Sequence, residues 1–223
     1  MPHRTYDSSS RRQAAQRRRG HVIDVAAELF AEHGFEATTL THIATAAGVS
    51  VPYLQKLGSK GDLVEEAIAA ATTGPALRTE QDYRAWRAHL VEMPTSAGFI
   101  EAVTRWTVDA NARSFGLWSA WGESPDPELR ASWLAHMQRI RSDWRSLLDE
   151  LSDHGWWRTD IDRTEQVATV WLLTMAATYQ RMVVVAGLSP DQYADWLRRS
   201  LTEVLVGPID EPTRERLSPS PSR

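Results

Sequence analysis

The feature that most constrains this 223-residue chain is the spacing of its apolar residues, which recur every three or four positions. The first such segment stops at Gly34, a residue typical of a helix C-terminus, and its apolar face holds Val22, Ala26, Leu29 and Phe30. No segment alternates apolar and polar residues as a half-buried strand does. The spacing therefore predicts an all-α protein.

Further helical segments follow, and proline or glycine separates most of them. Two short segments cover about 40–47 and 50–57, and a fourth stops before Gly74. Longer helices are predicted at about 79–92, 97–121, 126–153, 163–186 and 190–206. Residues 1–16 and 207–223 lack apolar periodicity or are rich in proline, so we expect both ends to be disordered.

Composition limits where the protein works and what chemistry it can carry. The chain has no cysteine, which excludes disulfides and thiolate metal sites. Its best apolar run, 167–179, is shorter than the roughly 18 residues that a membrane span needs, and no apolar signal core follows the N-terminal arginines. We therefore expect a cytoplasmic protein without a membrane anchor.

Positive charge is concentrated at the N-terminus. Residues 1–60 hold eight Lys and Arg against five Asp and Glu, whereas residues 61–223 hold 17 against 24. Six cations precede Gly20 with one acid among them: Arg4, Arg11, Arg12, Arg17, Arg18 and Arg19. A basic arm before a folded segment is typical of a nucleic-acid binder, although a solvated, disordered leader would have the same composition.

Residues 39–58 have the pattern of a helix-turn-helix. Such a unit needs a small residue where the helices cross and a glycine in the turn, and Ala44 and Gly48 supply both. Ser50 is a suitable N-cap for the second helix, and Pro52 falls in its first turn. If the leucines of that helix face inward, the outward side chains are Val51, Pro52, Tyr53, Gln55 and Lys56.

The run from Ile23 to Leu63 resembles the DNA-binding domain of the TetR (tetracycline-repressor-like) transcriptional regulators through three motifs: AAELFAEHGFEATT, IATAAGVS and GSK. The resemblance implies a helix-turn-helix domain over 17–73, followed by a helical ligand-binding and dimerisation domain over 74–206. It also implies a homodimer that binds a palindromic operator, usually as a repressor, and that a small ligand releases.

The same resemblance implies DNA-contacting residues. Thr39 and Lys60 would bind phosphates, and the major-groove set would be Ser50, Pro52, Tyr53, Gln55 and Lys56. The second helix of this unit, which would be the recognition helix, is about one residue shorter than in the family. Tyr53 could instead pack beneath this helix in place of the family's usual aromatic residue.

Ten tryptophans lie at or beyond Trp86, which excludes them from the DNA-binding segment. Each could fill the core or line a cavity for a flat apolar or aromatic effector. The candidate pocket residues are Trp106, Phe115, Trp118, Trp121, Met137, Trp144, Met175 and Tyr179. Glu101 and Asp109 would suit a cationic ligand if they were buried.

In the family the last two helices pair with their copies in a second subunit. The matching apolar residues here are Val167, Trp171, Met182, Trp196, Leu197, Leu201 and Leu205. The seven histidines lack metal-binding spacing, and phosphate, dinucleotide and nucleophile motifs are absent, so we expect no enzyme, metal or cofactor. An alternative is a helical small-molecule-binding or interaction protein that kept the fold but lost sequence-specific DNA binding.

Overall fold

The computed structural model describes residues 8–74, 80–122 and 124–206, and every regular element in them is helical. The α-helices are α1 (Ser8–Ala37), α2 (Leu40–Ala46), α3 (Val51–Leu57), α4 (Lys60–Thr73), α5 (Glu80–Val91), α6 (Ser96–Gly122), α7 (Pro127–Glu150), α8 (Arg163–Thr174), α9 (Ala176–Tyr179) and α10 (Pro190–Leu205). A 3₁₀ turn follows α7, and a π-helical segment, Gln180–Val185, follows α9. None of the described helices combines the length and apolar content that a membrane crossing requires.

The chain divides into two compact units, and α6 and α7 contribute to both. The first, which we call the head, contains α1 to α4 together with residues 113–134. The second, the body, contains, of the described residues, 80–112 and 135–206. The sequence predicted a domain boundary near residue 73, whereas the structure also assigns residues 113–134 to the head. A linear composition scan cannot detect a segment that returns from a distant part of the chain.

The head is built around a core that α1 and α4 share. Phe30 is fully buried in this core, and its ring lies 5.7 Å from that of Phe35. Gly34 leaves the helical conformation at φ 77°, as its position after the apolar face predicted. The Thr38 hydroxyl then lies 2.8 Å from the Gly34 carbonyl and 3.1 Å from the Leu29 carbonyl, and it shares its single proton between these acceptors near the end of α1.

The N-terminal arm differs from its prediction. Residues 8–16 belong to α1 instead of being disordered, while residues 1–7 and the predicted tail 207–223 lie outside the described residues. Alanine, glutamine and arginine are strong helix formers, and a helix that is already nucleated extends through such residues at little cost. The basic arm therefore has a defined direction.

The body contains a broken helix where the sequence predicted a continuous one over 163–186. The backbone at Met175 is extended (φ −66°, ψ 145°), so α8 ends at Thr174. The side-chain amide of Asn111 donates to the Thr174 carbonyl at 3.0 Å, and the Tyr193 hydroxyl donates to the Leu173 carbonyl at 3.3 Å. Distant side chains thus stabilise a break that neither glycine nor proline marks.

Candidate functional site

The turn between α2 and α3 has the geometry that the sequence predicted. Gly48 is left-handed at φ 63°, and the Val49 amide donates to the Ala44 carbonyl at 2.9 Å. Ile43 and Leu54 are fully buried on either side of this turn. The small residue and the glycine therefore let two short helices cross closely over a shared apolar core.

Ser50 caps the N-terminus of α3. The Ser50 hydroxyl oxygen accepts a hydrogen bond from the Tyr53 amide at 3.3 Å, and Pro52 lies in the first turn. Leu54 faces the core, which leaves the side chains of Pro52, Gln55 and Lys56 exposed. The outward face of α3 therefore presents an apolar ring, an amide and an ammonium group.

Tyr53 packs beneath α3, which is one of the two roles that its sequence position left open, and its contact with DNA stays a prediction. Its side chain is half-buried and packs against the head core. The guanidinium carbon of Arg18, on α1, lies 5.8 Å from the centre of the Tyr53 ring, within cation–π range. One side of Tyr53 therefore packs on the core, and its ring also contacts Arg18 beside α3.

A surface groove of about 420 Å³ follows this face of the head. Its walls include Arg18 from α1, Val49 and Ser50 from the turn, and Pro52, Tyr53 and Lys56 from α3. Arg18 was identified in the sequence only as part of a basic arm. Extending the helical period of Val22 back by one turn would have placed Arg18 on the head side of α1.

Thr39 and Lys60 already have partners within the head. The Thr39 hydroxyl oxygen accepts from the His42 amide at 3.1 Å and caps α2. The Lys60 ammonium donates to the Phe35 carbonyl at 2.9 Å and lies 3.9 Å from the centre of the Phe35 ring. Lys60 thus links the start of α4 to the end of α1, and its contact with phosphate stays a prediction.

Two polar contacts hold α4 in position. Ser59 and Asp62 form a reciprocal capping box, and these hydrogen bonds lower the pKa of the Asp62 carboxyl. The cap is therefore intact above the ordinary pKa of 3.8 and is lost as the pH falls through the lowered value. Arg19 on α1 pairs with Glu66 on α4, and this hydrogen-bonded pairing raises the pKa of the guanidinium.

The predicted pocket residues are divided between the two units. Trp121 is fully buried in the head core, and Trp118 packs against that core with its ring 5.7 Å from the Trp121 ring. Trp121 is therefore a core residue of the head, where its large apolar surface fills space. Phe115 also belongs to the head and is half-buried.

The other five predicted pocket residues lie in the body. Trp106 is half-buried, and its ring centre is 4.9 Å from that of Trp86. Met175 is half-buried at the helix break, whereas the remaining three are buried: Met137, Trp144 and Tyr179.

Four of the seven predicted dimer residues are buried within the single chain: Val167, Leu197, Leu201 and Leu205. They lie on α8 and α10, which pack together, because the apolar stripe of a helix faces its nearest neighbour. The other three are half-buried: Trp171, Met182 and Trp196. The large apolar side chains of this region that are more than half exposed are Leu172, Val184 and Val185, which the sequence analysis did not select.

The comparisons with known proteins identify the N-terminal segment and the fold. Residues 22–67 match the profile of the bacterial regulatory proteins of the tetR family. No curated protein matches the chain.

Solved structures with the same fold are also found. TylP, a TetR regulator from Streptomyces fradiae, has 18% sequence identity and a TM-score of 0.64, and the match covers 92% of each chain. A protein of Saccharomonospora viridis, described as a transcriptional regulator and solved in complex with choline, has 18% identity and a TM-score of 0.64 over 86% of this chain and 98% of that one. A Mesorhizobium loti protein described as a TetR-family regulator has 17% identity and a TM-score of 0.64 over 85% and 96%.

At these identities the structural matches show the fold alone, while the profile match covers the α2–α3 turn and every wall of the groove except Arg18. Both agree with the all-helical architecture and with the geometry of α2 and α3. The N-terminal segment of the chain therefore matches the helix-turn-helix DNA-binding domain of the TetR family of bacterial regulatory proteins, and the chain shares the all-helical fold of solved TetR-type regulators.

Proposed function

We propose that the protein is a homodimeric regulator that binds a palindromic operator through α3 and leaves it when a small effector binds the body. The observation that carries this proposal is the exposure of Pro52, Gln55 and Lys56 on a short helix whose orientation the Gly48 turn determines. The dimer would place two copies of α3 about 34 Å apart, one turn of the duplex.

Each exposed group suits a different part of the duplex. The Gln55 amide can donate to and accept from a base edge, whereas the Pro52 ring can contact a thymine methyl group. Lys56 is suited to a phosphate. The hydroxyl groups of Thr39 and Ser50 accept backbone hydrogen bonds as caps, so their protons are available for donation to phosphate oxygens.

Selection of bound duplexes from a random pool tests this proposal. The full chain should enrich one palindrome, and Gln55→Ala should relax the preference at one position of each half-site by about 1–3 kcal/mol. Lys56→Ala is the matched control, because it should weaken binding to all duplexes alike. Binding without sequence preference would instead support an interaction protein that kept the fold.

Subunit pairing is proposed through exposed apolar side chains of α8 and of the π-helical segment. Leu172, Val184 and Val185 expose 56%, 56% and 78% of their surface. Exposed apolar side chains close together along the chain are typical of an association surface. Of the sequence-selected residues, Trp171, Met182 and Trp196 remain candidates at its edge because they are half-buried.

The effector is proposed to be an aromatic molecule that also accepts hydrogen bonds. Thr104 and Thr107 expose only 1% of their surface on α6, and their hydroxyl groups have no partner within the described parts of the chain. The buried indole N–H groups of Trp106 and Trp171 likewise have no hydrogen-bond partner within the described residues. Buried donors are normally satisfied, so a ligand with acceptor atoms would supply the partner that one or more of these groups lacks.

A quaternary ammonium ligand such as the choline of the Saccharomonospora viridis structure is less well supported. Glu101 and Asp109 are both exposed, and Arg198 donates to the Glu101 carboxylate at 2.8 Å. Repeating the duplex selection with and without aromatic acids and amines would show which class of effector releases the DNA.

A further inference from the structure

The first turns of α1, residues 11–21, form an exposed basic segment of the helix, which we call the rod. Residues 11–21 are exposed on every side of the helix, and the first buried residue is Val22. Five of the nine residues from Arg11 to Arg19 are arginines, and none is acidic. This concentration of positive charge favours binding to a polyanion.

The rod has two distinguishable basic faces. Arg19 faces α4, because its guanidinium pairs with Glu66. Arg18 is rotated by about 100° from Arg19 and lines the groove beside Tyr53 and Lys56. Residues seven apart share a helix face, which puts Arg11 on the Arg18 side and Arg12 on the Arg19 side.

The two arginines on this face of the rod are well separated along the helix axis. Arg11 precedes Arg18 by two turns, about 10.5 Å along the helix axis. The groove that contains Arg18 also contains the exposed face of α3. A duplex seated on α3 would therefore meet Arg18 at the groove and Arg11 two helical turns further along α1.

We propose that Arg11 and Arg18 form a second DNA-contacting surface, in which one face of the extended α1 binds phosphates beside those that α3 reaches. This inference rests on the proposed DNA binding and adds to it a contact outside the helix-turn-helix. Guanidinium groups suit this role because their planar donors match phosphate oxygens. The contact carries no sequence preference of its own.

The test compares Arg11→Ala with Arg12→Ala in the full chain, because the two variants remove the same charge from neighbouring residues on different faces. Affinity for a random-sequence duplex of about 30 base pairs is measured between 50 and 200 mM salt. Losing one phosphate contact should reduce the salt slope by about 0.9. If the affinities converge at 1 M salt, Arg11→Ala should bind about fifteenfold more weakly at 50 mM and about fourfold more weakly at 200 mM.

Arg18→Ala should reduce the slope as Arg11→Ala does, whereas Arg12→Ala should reduce it by less than half as much. Thermal unfolding that matches the parent chain would exclude a folding defect. Equal slopes for the Arg11 and Arg12 variants would overturn the inference and leave α3 as the DNA-binding element. A parent chain that binds no duplex at 50 mM salt would overturn the proposed function as well.

Discussion

Two lysines of the head show how the same side chain serves different purposes. Lys56 is exposed at the end of α3, whereas Lys60 is half-buried with its ammonium on the Phe35 carbonyl and ring. From the sequence, Lys60 was expected to bind a phosphate and Lys56 to lie in or beside the major groove. The difference arises because α1 ends beside the start of α4 and leaves a carbonyl there that needs a donor.

Lys60→Ala should lower the free energy of unfolding by about 2 kcal/mol, because a charged hydrogen bond and a cation–π contact are lost together. Lys56→Ala should change it by less than about 0.5 kcal/mol, as expected at an exposed site. Urea denaturation of both variants measures the difference. Equal stability losses would mean that the Phe35 contact contributes little.

At the scale of the elements, two glycines of the head have opposite roles. Gly48 forms the left-handed turn between α2 and α3, whereas Gly20 lies inside α1 with ordinary helical geometry. Neither would bring an added methyl group within 4 Å of another atom. The two glycine positions therefore differ in backbone conformation and not in the space available for a side chain.

Gly48→Ala should destabilise the protein by about 1–2 kcal/mol, because an alanine resists the left-handed conformation. Gly20→Ala should stabilise α1 by about 0.5–1 kcal/mol, because glycine is a poor helix former. Thermal unfolding of the pair provides the comparison. Neutral behaviour of Gly48→Ala would show that the turn can adopt another geometry.

At the scale of the whole molecule, apolar side chains that the subunit leaves exposed indicate where a second subunit would bind. Leu172 exposes 56% of its surface in the body, and Leu134 exposes 50% in the head. Only Leu172 is close in sequence to the half-buried Trp171 and to the other exposed residues of the proposed dimer surface. The two leucines form a matched pair.

Leu172→Asp should shift the protein toward a monomer in sedimentation velocity, because a carboxylate opposes apolar association. Leu134→Asp should leave the oligomeric state unchanged, and both variants should fold because each side chain is already half exposed. The same loss of dimer in both variants, or in neither, would count against the proposed surface.

Features that depend on neighbours in sequence could be predicted from the sequence itself: the all-helical class, the Gly48 turn, the Ser50 cap and the exposure of Pro52, Gln55 and Lys56 on α3. Each is decided within a few residues, by periodicity, backbone freedom or a side chain that caps its own helix. Val51 and Tyr53, predicted on the same face, are half-buried against the core.

Only the tertiary structure decided the features that depend on partners far along the chain. Lys60 meets a carbonyl 25 residues away, and Asn111 supports the end of α8 across 63 residues. Trp121 joins the head core although its helix begins in the body. In each case a buried polar group or apolar surface must find its complement in space, and sequence spacing does not determine which one lies nearby.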